Sequence, residues 1–404
     1  MQSWQRNLYI IAAAELIVIM GFSFAQPFMP LFIKQLGNYN DDQAAFWSGI
    51  TAGASGIAMF LSSPIWGILE DRWGRKAMLL RAQFGSAVIL ALAAFSPNIY
   101  VFMALRFIQG MLSGTVPAAS ALVASQTPRE RVPFAMSSLM VAVFAGNTVG
   151  PLVGGLIADA VGFKPTFFIT AALLTIGGLI ILFFVHERFE RPAKGRSASL
   201  GQALRMAGSR EILPLLVVIS ALNFAPSMMG PIIPLVIDQL SPSGTTAASA
   251  GLVFALIGLV AAASAFVAGR VVKRVPLKQI LIFSCVGTGL LYLPPMLARN
   301  LGQLVPLIAA TALLNGGIIT SSNSLVSYSV PLSQQGIAYG LSQSANSLGG
   351  GLGPLVGGTL ASWLGLKAVF ALAGGLFIVV GVLVSRTLVG RAIPKSPEQA
   401  VEHQ

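Results

Sequence analysis

The sequence predicts an all-α polytopic membrane protein, with twelve transmembrane helices in two pseudo-symmetric six-helix bundles. Three observations carry that prediction. Hydrophobic residues make up 55% of the 404 residues and charged residues only 9%, where a soluble domain carries about 25% charged side chains. The apolar residues fall in runs of roughly 20, the length a helix needs to cross about 30 Å of hydrocarbon. Short motifs of the first half also return in the second at one fixed spacing. No segment alternates polar and apolar residues over about ten positions, as the strands of a membrane barrel would.

In order, the first six spans run Leu8–Ile33, Phe46–Leu69, Ala77–Ser96, Tyr100–Ala124, Phe134–Ala158 and Thr166–Val185. The second six run Ile212–Ile237, Ala247–Gly269, Gln279–Leu297, Leu304–Ser327, Gly336–Ser362 and Ala368–Leu388. This divides the chain into a first bundle (1–185), a linker (186–211), a second bundle (212–390) and a tail (391–404). Met1 to Asn7 carries one basic residue and leads into the first run with no small-residue cleavage site, so it reads as a retained helix. The segment His186–Glu211 is the longest polar stretch.

Orientation follows from the positions of Lys and Arg. With the N-terminus inside, twenty of them fall on the inner side, among them Arg6, Arg72, Arg75, Lys76, Arg129, Arg131, Arg270 and Arg386. Only Lys34, Lys164, Arg299 and Lys367 fall outside, and Arg106 lies within a span. The excess places both termini in the cytoplasm of a cell whose plasma (inner) membrane the chain crosses many times. The net charge of +12 therefore reflects orientation. There is no basic face interleaved with aromatics, so nucleic acid is not an expected partner. Cys285, the single cysteine, and the two histidines, His186 and His403, exclude an internal disulfide and argue against a metal centre.

The halves repeat. Pro27-Phe28-Met29-Pro30-Leu31 returns 204 residues later as Pro231-Ile232-Ile233-Pro234-Leu235, and Gln35-Leu36 as Gln239-Leu240. Gly150-Pro151-Leu152-Val153-Gly154-Gly155 returns 203 residues later as Gly353-Pro354-Leu355-Val356-Gly357-Gly358. Six spans is an even number, so the repeat is parallel, as in transporters that bind substrate between two bundles near the midplane.

Between spans two and three the chain reads Gly67-Ile68-Leu69-Glu70-Asp71-Arg72-Trp73-Gly74-Arg75-Lys76. This resembles the loop signature of the major facilitator superfamily. Leu105-Arg106-Phe107-Ile108-Gln109-Gly110 in span four and Gly146-Asn147-Thr148-Val149-Gly150-Pro151 with Gly154-Gly155 in span five are similar to motifs of its drug:proton antiporter branch. The first half is especially similar to MdtG-type multidrug exporters. In the loop, Gly67 and Gly74 suit a tight turn, and Arg72, Arg75 and Lys76 hold it at the inner face. The resemblance implies that Asp71 meets the start of helix eleven near Gly336, where a helix N-terminus stabilises a carboxylate and latches the bundles. A positive-inside turn with an incidental acid is the plainer alternative. The second copy, Gly269–Arg274, has Lys273 in the acid's place, so one latch is expected.

Gly146, Gly150 and Gly154 recur every four residues, a smooth stripe for a neighbouring helix, and Pro151 removes a helical hydrogen bond and bends the span. Packing alone would also account for them; the resemblance associates the bend with export. Charges within spans are the sharpest signal, because each is costly unless paired or hydrated. Glu15 stands about 10 Å in from the inner end of span one and Arg106 about 9 Å in from the outer end of span four. They read as a proton-coupling pair, with a hydrated acid and a structural arginine as the alternatives. Phe24, Gln26, Gln109, Asn223, Met228, Asn315, Asn323, Gln343 and Asn346 are the uncharged candidates for an apolar substrate cavity. Such a cavity suits lipophilic compounds better than sugars or phosphates.

The expected function is proton-driven export of hydrophobic or amphipathic drugs by alternating access. Export of a specific metabolite, siderophore or lipid by the same fold is the second reading. A membrane enzyme or receptor stands last, since no zinc pair, nucleophile elbow or phosphate loop is present. The expected partners are the bilayer, small lipophilic substrates and protons. No cofactor beyond the proton gradient is expected, and the chain is expected to act as a monomer.

Overall fold

The structure, a computed structural model, describes residues 3–25, 28–128, 131–187, 205–209, 212–241, 246–272, 274–328 and 335–387. Among them every regular element is helical. The first half comprises α1 (Ser3–Ala25), α2 (Met29–Gly37), α3 (Asp41–Trp73), α4 (Arg75–Ala93), α5 (Ile99–Leu112), α6 (Thr115–Gln126), α7 (Val132–Val161) and α8 (Phe163–Phe184). The second comprises α9 (Leu213–Met228), α10 (Ile232–Leu240), α11 (Thr246–Val271), α12 (Leu277–Leu291), α13 (Leu301–Thr311), α14 (Asn315–Tyr328), α15 (Gln335–Leu364) and α16 (Ala368–Thr387). Most of the linker and all of the tail after residue 387 lie outside the described residues.

Local signals set many of these ends. Asn40 accepts from the Gln43 backbone N–H at 2.9 Å while the Gln43 side chain accepts from Asn40 N–H at 3.2 Å, a capping box that starts α3. Asn98 and Asn300 cap α5 and α13 in corresponding places of the two halves, accepting from Val101 and Gln303 N–H.

Four expected spans are not single helices. The first and seventh break at their proline pairs and continue as the nine-residue α2 and α10, because each proline withholds a backbone donor. Span four breaks at Ser113-Gly114, where Gly114 has φ +117°, and span ten breaks in the corresponding place between α13 and α14. Span nine ends in a 3-10 turn at Pro294–Leu297. Among the described residues, eleven spans are long and apolar enough to cross a membrane. The remaining one, α15, has 30 residues but is rich in Gly, Ser and Gln.

Within the first half α1 packs on α7 and α8, α3 on α5, and α4 on α8; in the second, α9 packs on α15 and α12 on α16, repeating the pattern. The halves meet along α3 with α15 and α7 with α11. Large apolar side chains such as Phe95, Phe183, Phe266 and Leu297 face outward, as a lipid-facing surface requires. Arg6, Arg72, Arg75, Lys76, Arg131 and Arg270 mark one end, the basic face. Lys34, Asp41, Asp159 and Asp238 mark the opposite, far face.

Candidate functional site

The glycine motif is two-sided. A Cβ built on Gly146, Gly150 or Gly154 would come within 3.0 Å of span one, at Leu16, Met20 and Phe24. One on Gly155 would come as close to Ala247 of α11, across the boundary between halves. The second half repeats this: Gly349, Gly353 and Gly357 of α15 meet α9, and Gly358 meets Ala45 of α3. The carbonyls of Pro151 and Pro354 stand likewise against Gly251 and Gly49. Backbone thus meets backbone across both seams over their far-face parts. Toward the basic face, a Cβ on Gly67, Gly269 or Gly340 would meet nothing within 4 Å.

Between the halves lies a cavity of about 430 Å³. Its walls include Ser23, Ser48, Arg106, Asn147 and Pro151 from the first half and Ser227, Phe254, Ile257 and Pro354 from the second. Among the described residues Arg106 is the only charged one lining it. Its Nη1 donates to Gln109 Oε1 at 2.7 Å, and its Nε has no partner. Ser23 donates to Asn147 at 2.8 Å. A second cavity, of about 320 Å³, lies inside the second half and gathers Asn223, Asn315 and Asn346 with Ser322; Asn223 donates to Asn346.

The cavity residues expected from sequence therefore divide. Arg106 lines the central cavity and the three asparagines a separate one. Phe24 and Met228 are buried in helix–helix contacts, under Gly154 and Gly357, and Gln343 is exposed outside both cavities. Gln109 is buried behind Arg106. Gln26 and the side chain of Asn323 lie outside the described residues. Glu15 is fully buried and lines neither cavity; Gln83 Nε2 donates to its Oε1 at 3.2 Å. Among the described residues it makes no ion pair with Arg106, a pairing that the sequence left open.

The loop motif is anchored to its own half. Gly74, with φ +91°, makes the turn between α3 and α4; Gly67 lies inside α3, so the turn attributed to both glycines belongs to Gly74 alone. The Glu187 carboxylate accepts from Arg75 and Lys76 N–H at 3.0 and 2.9 Å, capping α4. Lys76 Nζ donates to the carbonyls of Leu182 and Val185 at 2.8 and 2.7 Å. The Asp71 side chain lies outside the described residues.

At the far face a charged network joins the halves. Lys34 Nζ stands 2.6 Å from both Asp41 and Asp238, and Gln239 donates to Asp41 at 2.8 Å. Partial burial alone would lower the Lys34 pKa, but its bonds to Asp238 and Asp41 outweigh that and raise it above its ordinary value. Asp159, at the end of α7, accepts from Ala247 and Ala248 N–H at 3.1 and 2.8 Å, an acid on the positive start of α11. Lys34, Asp41, Asp238, Gln83 and Glu187 were not singled out from sequence. For one pair the signal was there: Lys34 and Asp238 are themselves 204 residues apart, symmetric positions with opposite charges.

Comparison with known proteins agrees with this architecture. The family model described as Major Facilitator Superfamily matches residues 11–293 and 215–403. The multidrug resistance protein MdtG of Proteus mirabilis is 33% identical over 371 residues, covering 91% of this chain and 92% of that protein. MdtG of Citrobacter koseri is 31% identical over 378 residues, covering 93% of each. Among solved structures, the POT family transporter PepTSo superposes with a TM-score of 0.78 at 12% identity, over 95% of this chain and 97% of that one. The nucleoside transporter NupG does so with 0.75 at 14% identity, over 94% and 100%. With its repeated six-span halves, its cavity between them and a family match along nearly its whole length, the chain belongs to the Major Facilitator Superfamily and is a membrane transporter rather than an enzyme.

Proposed function

We propose that the chain is a proton-coupled antiporter that exports hydrophobic or amphipathic drugs by alternating access. It would sit in the plasma (inner) membrane with the basic face and both termini in the cytoplasm, act as a monomer and need no bound cofactor. The observation that carries the reading is the central cavity between the halves, closed toward the far face by glycine seams and the Lys34–Asp238 ion pair. About 430 Å³ with mostly apolar walls is within the range for small organic ligands. The curated relatives are named as multidrug resistance proteins, which favours drugs over other cargo.

Glu15 is the proton carrier in this reading, a fully buried acid with no cationic partner among the described residues. Ethidium efflux from cells, measured with and without an uncoupler, tests the energy source. In inverted vesicles Glu15→Gln is expected to abolish pH-gradient-driven uptake while binding persists. Full gradient-driven transport by that variant would move the proton site elsewhere.

A further inference from the structure

Glu15 is 0% exposed, and its Oε2 has no hydrogen-bond partner. Two features stand beside it. Gln83 of α4 donates to Oε1, and the Thr115 side chain is the second polar group near the carboxylate. Thr115 is the first residue of α6, the helix that begins where span four breaks at Gly114. Thr115 is buried while Gly114 and Val116 are half-buried; the helix start has no side-chain cap, and Pro117 supplies no donor of its own. An uncapped N-terminus carries partial positive charge that favours a nearby anion. A buried carboxylate needs a counter-charge.

Among the described residues no charged side chain pairs with Glu15. On α4, Arg81 stacks on Trp66 and donates to the Ser113 carbonyl at 3.3 Å, at the break rather than to Glu15, and Arg75 and Lys76 lie at the basic-face end. On α5, Arg106 is engaged with Gln109. The charged residues of α7 and α8, Asp159 and Lys164, stand at the far-face end; α6 has none, and Arg6 of α1 is over two turns away. The second half serves as an internal control. The 204-residue offset puts Ile219 in the place of Glu15, and the corresponding break in span ten is capped, Gly316 N–H donating to Ser264 Oγ at 3.0 Å. Where the acid is missing, the helix start has found a different acceptor.

We propose that the counter-charge of Glu15 is the start of α6, and that Gln83 and Thr115 are positioning residues that hold its carboxylate there. This rests on Glu15 being the proton carrier. The other side of the break leads to the cavity: Gln109 donates to Ser113 Oγ at 3.2 Å and accepts from Arg106 at 2.7 Å. Loss of the Glu15 charge on protonation loosens the hold on α6, and the break passes that change to Arg106. Proton and drug thus act on opposite sides of one helix break, without sharing a cavity.

The test titrates the protonated-carboxyl infrared band of the full-length protein in lipid, with the Glu15 band identified by its loss in Glu15→Gln. Gln83→Leu and Thr115→Val each remove a donor to the ionised form, so the protonated form persists to higher pH. Each is expected to move the midpoint upward by about one pH unit. Thr115→Ser keeps the hydroxyl and the wild-type midpoint, and Arg106→Gln shifts it less than Thr115→Val. An unmoved midpoint in folded Thr115→Val, which is isosteric, overturns the proposal, as does a larger shift in Arg106→Gln. If the midpoints move as expected but Glu15→Gln still transports down a pH gradient, the positioning stands and the proton-carrier reading fails.

Discussion

A β-carbon at Gly155 would come within 3.0 Å of the Ala247 carbonyl oxygen, in the other half of the molecule. The glycine next to it, Gly154, meets Phe24 of its own bundle instead. Two adjacent positions of one motif thus carry different duties. Gly154→Val should destabilise the first bundle and lower the yield of folded protein. Gly155→Val should leave the bundle intact and obstruct closure at the far face. Overpacking of this kind costs about 1–3 kcal/mol, so transport should fall by roughly tenfold or more. Vesicle transport normalised to folded protein checks this, and equal effects on both quantities in the two variants would refute the division.

At the scale of elements, helix starts do much of the electrostatic work. Glu187 holds the start of α4 and Asp159 that of α11, and our proposal gives Glu15 the same duty at the start of α6. Only the Asp159 contact crosses between halves, so only it should respond to the transport cycle. Asp159→Ala removes a capping acid worth about 1 kcal/mol, which should shift the population about fivefold toward the far-face-open state. A cysteine introduced at the far-face end of the cavity, with Cys285 buried and the sole native cysteine, would report this as faster labelling. Asp71→Asn, at the basic face, should cut transport with insertion unchanged and shift the population the opposite way, toward inward-open. Labelling that changes in the same direction in both variants would rule out opposed latches.

For the whole molecule, the decisive contact is the Lys34–Asp238 pair, which joins symmetric positions of the two repeats at 2.6 Å. Both side chains are partly solvent-exposed, 33% and 27%, so the pair should contribute under about 1 kcal/mol and weaken with salt. Lys34→Asp or Asp238→Lys alone should favour the far-face-open state through like-charge repulsion with Asp238 or Lys34. Both together should restore much of the closure, because the pair is rebuilt with its signs exchanged. Cysteine labelling in a double-mutant cycle gives the coupling, and strict additivity would show that the pair does not hold the halves together.

Composition determined the membrane class, apolar run length the spans and motif spacing the parallel repeat, because burial in lipid leaves each helix to satisfy its own backbone bonds and so to announce itself in sequence. The proline pairs and the Gly-Pro motif were legible for the same reason, each being a local constraint on one helix. Which residues share a cavity was not. Glu15 and Arg106 are both costly charges within spans, and their depth along the helices left a direct pair open. Depth says nothing of which way a side chain faces, and only the packing of the bundle, with α1 against α6, α7 and α8, brought Glu15 within reach of Gln83. The break at Gly114 escaped the sequence reading because the run continues to an apolar second part, and whether a glycine there continues a helix or takes φ +117° depends on what stands beside it. Tertiary structure decided the pairing of charges because a buried charge is satisfied in three dimensions, by whichever dipole the neighbouring helices bring to it.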